Sequence, residues 1–348
     1  MPKYITFFLV VVLVLLFGTF LYFRNNGHSG NTLPGEIANT AINNGDFGQM
    51  EKQPHPLSIE ALRIGEYPGS ELTLEQELPN GSNYKRQIVS YKSEGLKIYA
   101  LLTVPLAEPP QGGYPVVVFN HGYIPPSEYR TTEKYTAYTD AFSRSGYVLL
   151  RSDYRGHGNS EGTASGGYGS NDYTIDVLNA VASIKKYPGV NPEKIGMWGH
   201  SMGGFVTLRN MVVSKDIKVG VIWAGVVASY DDLLNNWRRR SSMPSPTGSR
   251  GWRGSLVAEY GEPGTNSEFW NSISANSYLK NVSGSIQIHH GAADSSVPVE
   301  FSEKLDIQLK EASKTSELFI YQGDDHNLAS NLGVALNRSV EFFDKYLK

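Results

Sequence analysis

One serine in the chain is flanked by small residues at the spacing of a nucleophile turn. Ser201 is preceded by Gly199 and His200 and followed by Met202 and Gly203, in a segment (GHSMGG) that follows a predicted strand and opens a predicted helix. Such an elbow presents the serine hydroxyl at the carboxyl end of a sheet, and its glycines let strand and helix approach closely. No lysine follows in the manner of a phosphate-binding loop. The pattern predicts nucleophilic catalysis by Ser201, with the Met202 amide at the helix N-terminus donating to a developing oxyanion.

A serine nucleophile needs a histidine base, and the base needs a carboxylate that orients it. In hydrolases with this elbow the acid and then the histidine follow the serine along the chain. His326 lies in residues 323–327, a loop directly after a predicted strand, where a base must project. His289 and His290 lie inside an apolar strand, where we expect packed or hydrogen-bonded rings. His326 is therefore the predicted base.

The predicted acid is Asp294. It lies in residues 291–298, a loop that also follows a strand and precedes a helix. Asp324 and Asp325 are alternatives on spacing alone. A carboxylate so close in sequence would reach the ring of its neighbour from the opposite side only with difficulty, which favours Asp294.

A second oxyanion donor is expected from the loop after the apolar strand 116–120. Gly122 gives the backbone room to turn an amide inward, which makes the Tyr123 amide the predicted donor. His121, in the same loop, is interpreted as a structural histidine that holds the loop in place.

The glycine-rich segment 153–160 (DYRGHGNS) follows the next predicted strand. Asp153 and Arg155 are expected to pair and to hold this loop near the site. His157 precedes the nucleophile in the chain and lies in a glycine-rich turn, so we interpret it as structural.

These residues need a scaffold, and from residue 86 onward the chain alternates strand and helix signals. Such alternation predicts an α/β domain with a mostly parallel sheet of eight strands, covered by helices on both faces. The predicted strands are 88–91, 96–105, 116–120, 147–152, 194–199, 219–224, 286–290 and 317–321, the first two as an antiparallel hairpin. The predicted helices are 133–145, 172–187, 202–213, 299–311 and 332–346.

Residues 229–280 interrupt the alternation between two sheet strands. The stretch is too long for an ordinary loop and contains several aromatic residues. An insertion of this kind predicts a cap over the site, and a surface excursion without a role is the alternative.

The N-terminal part of the chain has a different composition. Residues 4–23 contain no charge over a length that spans a bilayer core, with Lys3 before and Arg24 after them. We expect residues 1–24 to be an uncleaved signal-anchor that leaves the rest of the chain on the extracytoplasmic side, and secretion after signal cleavage is the alternative. The Asn- and Gly-rich stretch 25–56 is the predicted linker, and 57–348 the catalytic domain.

Composition excludes several classes of function. The 348 residues carry a net charge of -3, which disfavours nucleic acid as a partner. The chain has no cysteine, so disulfides, zinc–thiolate sites and a cysteine nucleophile are excluded.

The motifs together resemble the α/β-hydrolase superfamily over residues 88–348. Within it they are similar to the catalytic domain of the prolyl oligopeptidase (S9) family and to dienelactone-hydrolase-like enzymes. Five matching segments stand in the expected order: FNHGY (119–123), SDYRGHGNSEG (152–162), GMWGHSMGG (196–204), HHGAADSSVP (289–298) and GDDHN (323–327). The resemblance implies an α/β-hydrolase fold with Ser201 as nucleophile, Asp294 as acid and His326 as base, and with the Tyr123 and Met202 amides as the oxyanion hole.

The resemblance implies a serine hydrolase of the S9 peptidase type that cleaves ester or amide bonds through an acyl-enzyme, without a metal or organic cofactor. Its expected substrate is a small ester or a short peptide. A carboxylesterase or lipase is an alternative, because the DYRGHG segment is also common in esterases and residues 25–87 are too few for the β-propeller of S9 peptidases. A catalytically inactive binding protein with the hydrolase fold is an alternative of another class.

Overall fold

A mixed β-sheet organises the part of the chain that the structure, a computed structural model, describes: residues 53–237 and 251–348. Its strands are Thr73–Leu78 (β1), Tyr84–Ser93 (β2), Leu96–Pro105 (β3), Tyr114–Asn120 (β4), Val148–Ser152 (β5), Val190–His200 (β6), Ile217–Trp223 (β7), Ser285–Gly291 (β8) and Ser316–Tyr321 (β9). Their order across the sheet is β1-β2-β3-β5-β4-β6-β7-β8-β9. Strands β4 to β9 are parallel to one another, whereas β1, β2 and β3 form an antiparallel extension that joins them through the antiparallel pair of β3 and β5.

Helices lie between the strands and cover both faces of the sheet. They are Ile59–Ile64 (α1), Thr136–Arg144 (α2), Asp172–Ile184 (α3), Met202–Val213 (α4), Tyr230–Asn235 (α5), Trp252–Tyr260 (α6), Ser267–Ile273 (α7), Val299–Glu311 (α8) and Leu332–Leu347 (α9). A 3₁₀ helix, Ala275–Asn281, leads into β8. The predicted cap region 229–280 thus holds short helices between β7 and β8, apart from residues 238–250, which lie outside the described residues.

The central strands are buried on both faces. In β4 all seven residues are buried, as expected for a parallel strand covered on both sides. Val116 and Val118 pack into the larger core cluster with α3, α4 and α8, and Val117 and Phe119 pack into a second cluster with α2 and α9. The period of two along β4 therefore divides its side chains between the two helical layers.

The predicted hairpin is confirmed. Strands β2 and β3 pair in antiparallel register from Tyr84 with Pro105 to Ser93 with Leu96. The two residues between them, Glu94 and Gly95, have φ values of 50° and 83°. Positive φ at both positions gives the turn a twist that matches the strands.

The prediction of eight strands is wrong by one, because β1 was missed. Its side chains are exposed or only partly buried, so it lacks an apolar alternation. Polar contacts hold it at the sheet edge: Glu75 accepts a hydrogen bond from Ser90 at 2.6 Å and pairs with Lys97 at 2.7 Å.

Helix α2 begins three residues later than the sequence predicts. Lys134 and Tyr135 have φ values of 53° and 49°, in the left-handed region that a helix cannot continue through. The first helical residue is therefore Thr136.

None of the helices within residues 53–237 and 251–348 combines the length and the apolarity that a bilayer crossing needs. The predicted membrane helix at 4–23 lies outside the described residues. The boundaries 1–24, 25–56 and 57–348 stay predictions.

Candidate active site

Ser201 is the single residue between the end of β6 and the start of α4. Its φ and ψ are 56° and -120°, a conformation that side-chain-bearing residues rarely adopt. The strained backbone is held by a hydrogen bond from the Ser201 N–H to the carbonyl of Trp223 at 2.9 Å. This is the geometry of the predicted nucleophile elbow.

The elbow requires glycine behind the serine. A Cβ atom on Gly203 would lie 1.9 Å from the carbonyl oxygen of Asn120, and one on Gly199 would lie 2.3 Å from the Gly203 carbonyl oxygen. Neither distance is compatible with a side chain. The glycines therefore allow β4, β6 and α4 to meet directly beneath Ser201.

The predicted base and acid are in contact. Asp294 lies in the loop between β8 and α8, and His326 in the loop between β9 and α9. His326 Nδ1 is 2.6 Å from Asp294 Oδ2, and the two side chains are 18% and 0% exposed. Since an ionised carboxylate can only accept, Nδ1 carries the proton, and His326 Nε2 is left as the basic nitrogen.

Asp294 is stabilised as a carboxylate from several sides. Its Oδ2 also lies 3.0 Å from His290 Nε2, and its Oδ1 accepts hydrogen bonds from the N–H groups of Ser296 and Val297. Burial alone would raise the pKa of Asp294, but the hydrogen bonds from His290 and His326 outweigh it and hold the pKa well below its usual range. The acid is therefore charged at any pH at which His326 can act as a base.

The alternative acids, Asp324 and Asp325, organise the loop that carries the base. Asp324 accepts hydrogen bonds from four N–H groups of its own loop, two of them from Asn331. Asp325 accepts from the N–H groups of Asn327 and Ala329. The structure brings Asp294, and neither of these two carboxylates, to the ring of His326.

The oxyanion loop lies against the elbow. A Cβ on Gly122 would be 3.1 Å from Ser201 Cβ, so this loop approaches the nucleophile as closely as a glycine permits. The Gly122 N–H donates to the Tyr135 hydroxyl at 2.9 Å, which leaves the following N–H, that of Tyr123, for an oxyanion. Met202 opens α4, and the first N–H groups of a helix have no partner within it. The structure thus places the predicted oxyanion loop next to Ser201, and the roles of the Met202 and Tyr123 N–H groups as donors stay predictions.

His121 is a buried structural residue. Its Nδ1–H donates to the Gly122 carbonyl at 2.7 Å, and its ring lies between those of Tyr129 and Tyr154, with centroids 4.6 Å and 4.4 Å away. The edge of the His157 ring packs on it at 5.7 Å. Burial lowers the pKa of His121 to about 3, so this ring stays neutral and is not a second base.

The predicted pair of Asp153 and Arg155 is wrong. Asp153 accepts hydrogen bonds from Tyr129 and Thr131 instead. Arg155 forms a bidentate contact with Asp176 on α3, with Nη2 2.7 Å from Oδ1. Asp176 is fully buried within α3, 21 residues beyond Arg155, and no local sequence pattern marks it as the partner of that loop.

Two further residues of the site were not predicted to act there. His290 was expected to be only packed or hydrogen-bonded, and it contacts the acid through Nε2 and Ser302 Oγ through Nδ1 at 2.7 Å. Tyr135 lies within the predicted helix 133–145, which gives it no role in the site. Its hydroxyl lies 2.8 Å from His200 Nδ1, and His200 Nε2 lies 2.9 Å from the carbonyl oxygen of His326. No local motif marks either contact.

The insertion between β7 and β8 packs next to the acid loop. The Tyr168 ring lies 5.0 Å from that of Phe205 on α4 and 5.5 Å from those of Trp237 and Trp252. The Trp237 indole N–H donates to the carbonyl of Ser296 at 2.9 Å. The hydrogen bond of Trp237 therefore ties the insertion to the loop that holds Asp294, and aromatic packing ties it, through Tyr168, to α4.

Within the described residues, histidine, aspartate and glutamate side chains form no group of three or more that could hold a metal ion. The chemistry that this part of the chain supplies is that of a nucleophile, a histidine base and hydrogen-bond donors.

A comparison with protein-family models matches residues 134–348 to the prolyl oligopeptidase family. The match covers α2 to α9 and includes the elbow, the acid loop and the base loop. The chain belongs to the prolyl oligopeptidase family. The resemblance drawn from the five motifs is confirmed, and so are the α/β-hydrolase fold and the mostly parallel sheet.

The chain is also similar to individual peptidases and esterases. The uncharacterized peptidase YuxL of Bacillus subtilis is 26% identical over 256 residues, 69% of this chain and 35% of YuxL. The acylaminoacyl peptidase of Pyrococcus horikoshii has a TM-score of 0.60 at 23% identity, over 77% of this chain and 43% of the peptidase. The esterase Pf2001 of Pyrococcus furiosus has a TM-score of 0.57 at 19% identity, over 76% of this chain and 94% of the esterase. The chain thus spans about a third of the length of YuxL and less than half that of the acylaminoacyl peptidase.

Proposed function

We propose that this protein is a serine hydrolase that cleaves ester or amide bonds through an acyl-enzyme intermediate. The observation that carries the proposal is the 2.6 Å contact between His326 and the buried Asp294, in loops beside the strained elbow of Ser201. Three elements that are distant in sequence supply a nucleophile, a base and an orienting acid to one edge of the sheet.

The arrangement supports the following reaction. Ser201 Oγ attacks the carbonyl carbon of the substrate while His326 Nε2 takes the hydroxyl proton, and the N–H groups of Met202 and Tyr123 stabilise the oxyanion. Collapse of the tetrahedral adduct breaks the ester or amide bond, and the imidazolium gives its proton to the departing alcohol or amine. Water then attacks the acyl-enzyme with His326 again as base, which releases the acid and restores the serine.

Covalent labelling tests this proposal. A fluorophosphonate probe should label the full-length protein at Ser201, and Ser201→Ala should lose both labelling and hydrolysis of p-nitrophenyl acyl esters. The matched control is Ser283→Ala, because the Ser283 hydroxyl lies at the amino end of β8 and donates to the Ile217 carbonyl. An unlabelled protein without turnover would identify instead a binding protein with a hydrolase fold.

The leaving group is tested with the same protein. Short p-nitrophenyl esters and aminoacyl-naphthylamides, compared by kcat/KM, separate an esterase from an S9-type peptidase. The names of the relatives, which include both peptidases and an esterase, support either bond type.

We further infer that residues 4–23 anchor the protein in a membrane, with the catalytic domain on the extracytoplasmic side. The uncharged run and its flanking Lys3 and Arg24 support this location. Carbonate extraction of membranes, followed by mass measurement of the N-terminus, tests it. A soluble chain that starts after residue 24 would show the secreted form.

A further inference from the structure

A chain of hydrogen bonds joins the oxyanion loop to the loop of the base. Tyr135 Oη lies 2.9 Å from the Gly122 nitrogen and 2.8 Å from His200 Nδ1. His200 Nε2 lies 2.9 Å from the carbonyl oxygen of His326. The chain starts beside the Tyr123 donor, passes the residue before the nucleophile, and ends on the backbone of the base.

Only one arrangement of protons satisfies all three contacts. The Gly122 N–H can only donate, so the Tyr135 oxygen accepts from it and its own O–H is free to donate. The His326 carbonyl can only accept, so His200 Nε2 carries a proton. Burial lowers the pKa of His200 to about 3, so the ring holds a single proton and its Nδ1 accepts from Tyr135.

The position of Tyr135 is fixed from the backbone side as well. Lys134 and Tyr135 both have positive φ, a strained turn for residues with side chains. The buried guanidinium of Arg151 on β5 donates to the carbonyls of Thr131, Glu133 and Lys134, which holds this turn.

Aromatic packing adds to the restraint on Tyr135. Its ring packs edge-on against Phe119 at 5.5 Å. The backbone turn and the contact with Phe119 therefore fix the position of the Tyr135 hydroxyl.

We propose that Tyr135 and His200 act as positioning residues that fix the oxyanion donors relative to the catalytic histidine. This role rests on the proposed function of Ser201. The two loops come from different parts of the chain, after β4 and after β9, so their relative position is not set by chain connectivity. Tyr135 ends the connection that runs from β4 to α2, 13 residues beyond Gly122, so its hydroxyl joins the start of that connection to His200 at the end of β6 and, through His200, to the loop of the base.

The decisive variant is Tyr135→Phe, which removes only the hydroxyl. The Gly122 N–H and His200 Nδ1 then lose their shared partner, and both loops gain freedom next to the reacting atoms. For a short p-nitrophenyl ester we expect kcat to fall about 10- to 100-fold while KM stays within about threefold, because the loss falls on transition-state geometry and not on substrate binding. Affinity for an alkyl boronic acid, which forms a tetrahedral adduct on the serine, should fall by a similar factor.

Tyr147→Phe is the matched control. It also removes only a tyrosine hydroxyl, one that donates to Asp344 Oδ1 at 2.6 Å, but Tyr147 precedes β5 at the amino ends of the strands. This variant should keep kcat and boronic acid affinity within about twofold of the parent. Equal losses of kcat in Tyr147→Phe and Tyr135→Phe would show a general effect of lost hydroxyls and overturn the proposal.

A double-mutant cycle with His200→Phe provides a second test of the same hydrogen-bond chain if one variant folds poorly. His200→Phe keeps a ring at the buried position and removes both nitrogens, so alone it should show the same selective loss of kcat. Because the two residues act through one chain, the double variant should lose no more than the worse single variant. If the factors by which kcat falls in the two single variants multiply in the double variant, the joint role is overturned. It is also overturned if the parent is active and labelled and Tyr135→Phe keeps full activity. An unlabelled, inactive parent would overturn the proposed function itself and this role with it.

Discussion

Buried neutral histidines should make the domain sensitive to acid. His121, His200 and His289 are 0%, 3% and 0% exposed, and burial lowers the pKa of each from 6.5 to about 3. Below pH 6.5 the unfolded chain binds a proton at each ring, whereas the folded chain does so only near pH 3. The free energy of unfolding therefore falls as the pH drops from 6.5 towards 3, by up to about 1.4 kcal/mol per pH unit for each ring.

Asp153 has the opposite effect over part of this range. Burial raises its pKa from 3.8 to about 7, against hydrogen bonds from Thr131 and Tyr129 that lower it. The folded chain thus keeps a proton that the unfolded chain releases, and acidification from pH 7 to 3.8 adds stability. Between pH 7 and 5 the three histidines remove about 6 kcal/mol and Asp153 restores about 2 kcal/mol. The net loss of about 3 to 4 kcal/mol is a large share of the ~5–15 kcal/mol that keeps a typical domain folded.

Urea unfolding of the full-length protein at pH 5, 6 and 7, followed by tryptophan fluorescence, measures this loss. His289→Gln is the informative variant, because His289 lies in β8 with Tyr321 and Gln287 as partners, outside the nucleophile, base and acid contacts. It removes one of the three titrations, so the loss between pH 7 and 5 should shrink by about 2 kcal/mol.

Ser339→Ala provides the control for the His289 variant. The Ser339 hydroxyl accepts from the Trp223 indole at 3.0 Å and lies 3.4 Å from His289, but it does not titrate. Its removal should lower stability by the same amount at each pH. A pH-dependent loss that is below about 1 kcal/mol in the parent, or unchanged in His289→Gln, would refute the argument.

Three further outcomes are expected. Asp294→Asn should lower kcat on p-nitrophenyl esters by about 10³- to 10⁴-fold with little change in KM, because an amide no longer fixes the tautomer of the base; a loss below tenfold would contradict the assigned acid. Gly203→Ala should abolish soluble, folded protein, judged by expression and circular dichroism, since its Cβ would overlap the Asn120 carbonyl. Arg209→Met should lower the free energy of unfolding in urea by about 1–3 kcal/mol, because the buried guanidinium donates to the Ile273 carbonyl, and equal stability would show that this contact is dispensable.

The parallel half of the sheet could be read from the sequence because burial on both faces leaves continuous apolar runs. β4 is such a run, and the sequence predicts its last five residues as a strand. β1 could not be found in this way, since an edge strand needs no apolar face and is held by contacts such as that of Glu75 with Lys97. The start of α2 was mispredicted for a different reason: the positive φ of Lys134 and Tyr135 is imposed by tertiary contacts, and neither residue type signals it.

Within the site, the sequence predicts which loops at the ends of strands carry the candidate catalytic residues. It does not predict which side chains hold those loops in place. Ser201, Asp294 and His326 each follow a strand, and parallel strands end at one edge, so their convergence follows from topology. The carboxylate that pairs with Arg155 depends on which helix face packs over its loop. Closeness in sequence does not identify that carboxylate. Asp176 on α3, and not the adjacent Asp153, supplies that charge.

Backbone strain is concentrated around the proposed reaction. Of the eight non-glycine residues with positive φ in residues 53–237 and 251–348, six lie in the elbow or in the loops that surround it. These are Lys134, Tyr135, Tyr154, Ser201, Ala224 and Leu328. Each such conformation costs about 1–3 kcal/mol and persists only where neighbouring contacts over-determine it.

The contacts that hold two of these residues are visible in the structure. The Ser201 N–H is held by the Trp223 carbonyl, and the Ala224 N–H by the carbonyl of His289 at 2.8 Å. The strands β6, β7 and β8 are thus cross-linked at the edge where the nucleophile projects. An oxyanion site of this kind works because its donors need no rearrangement when charge develops, so the stability of the buried sheet is what keeps a strained serine ready to react.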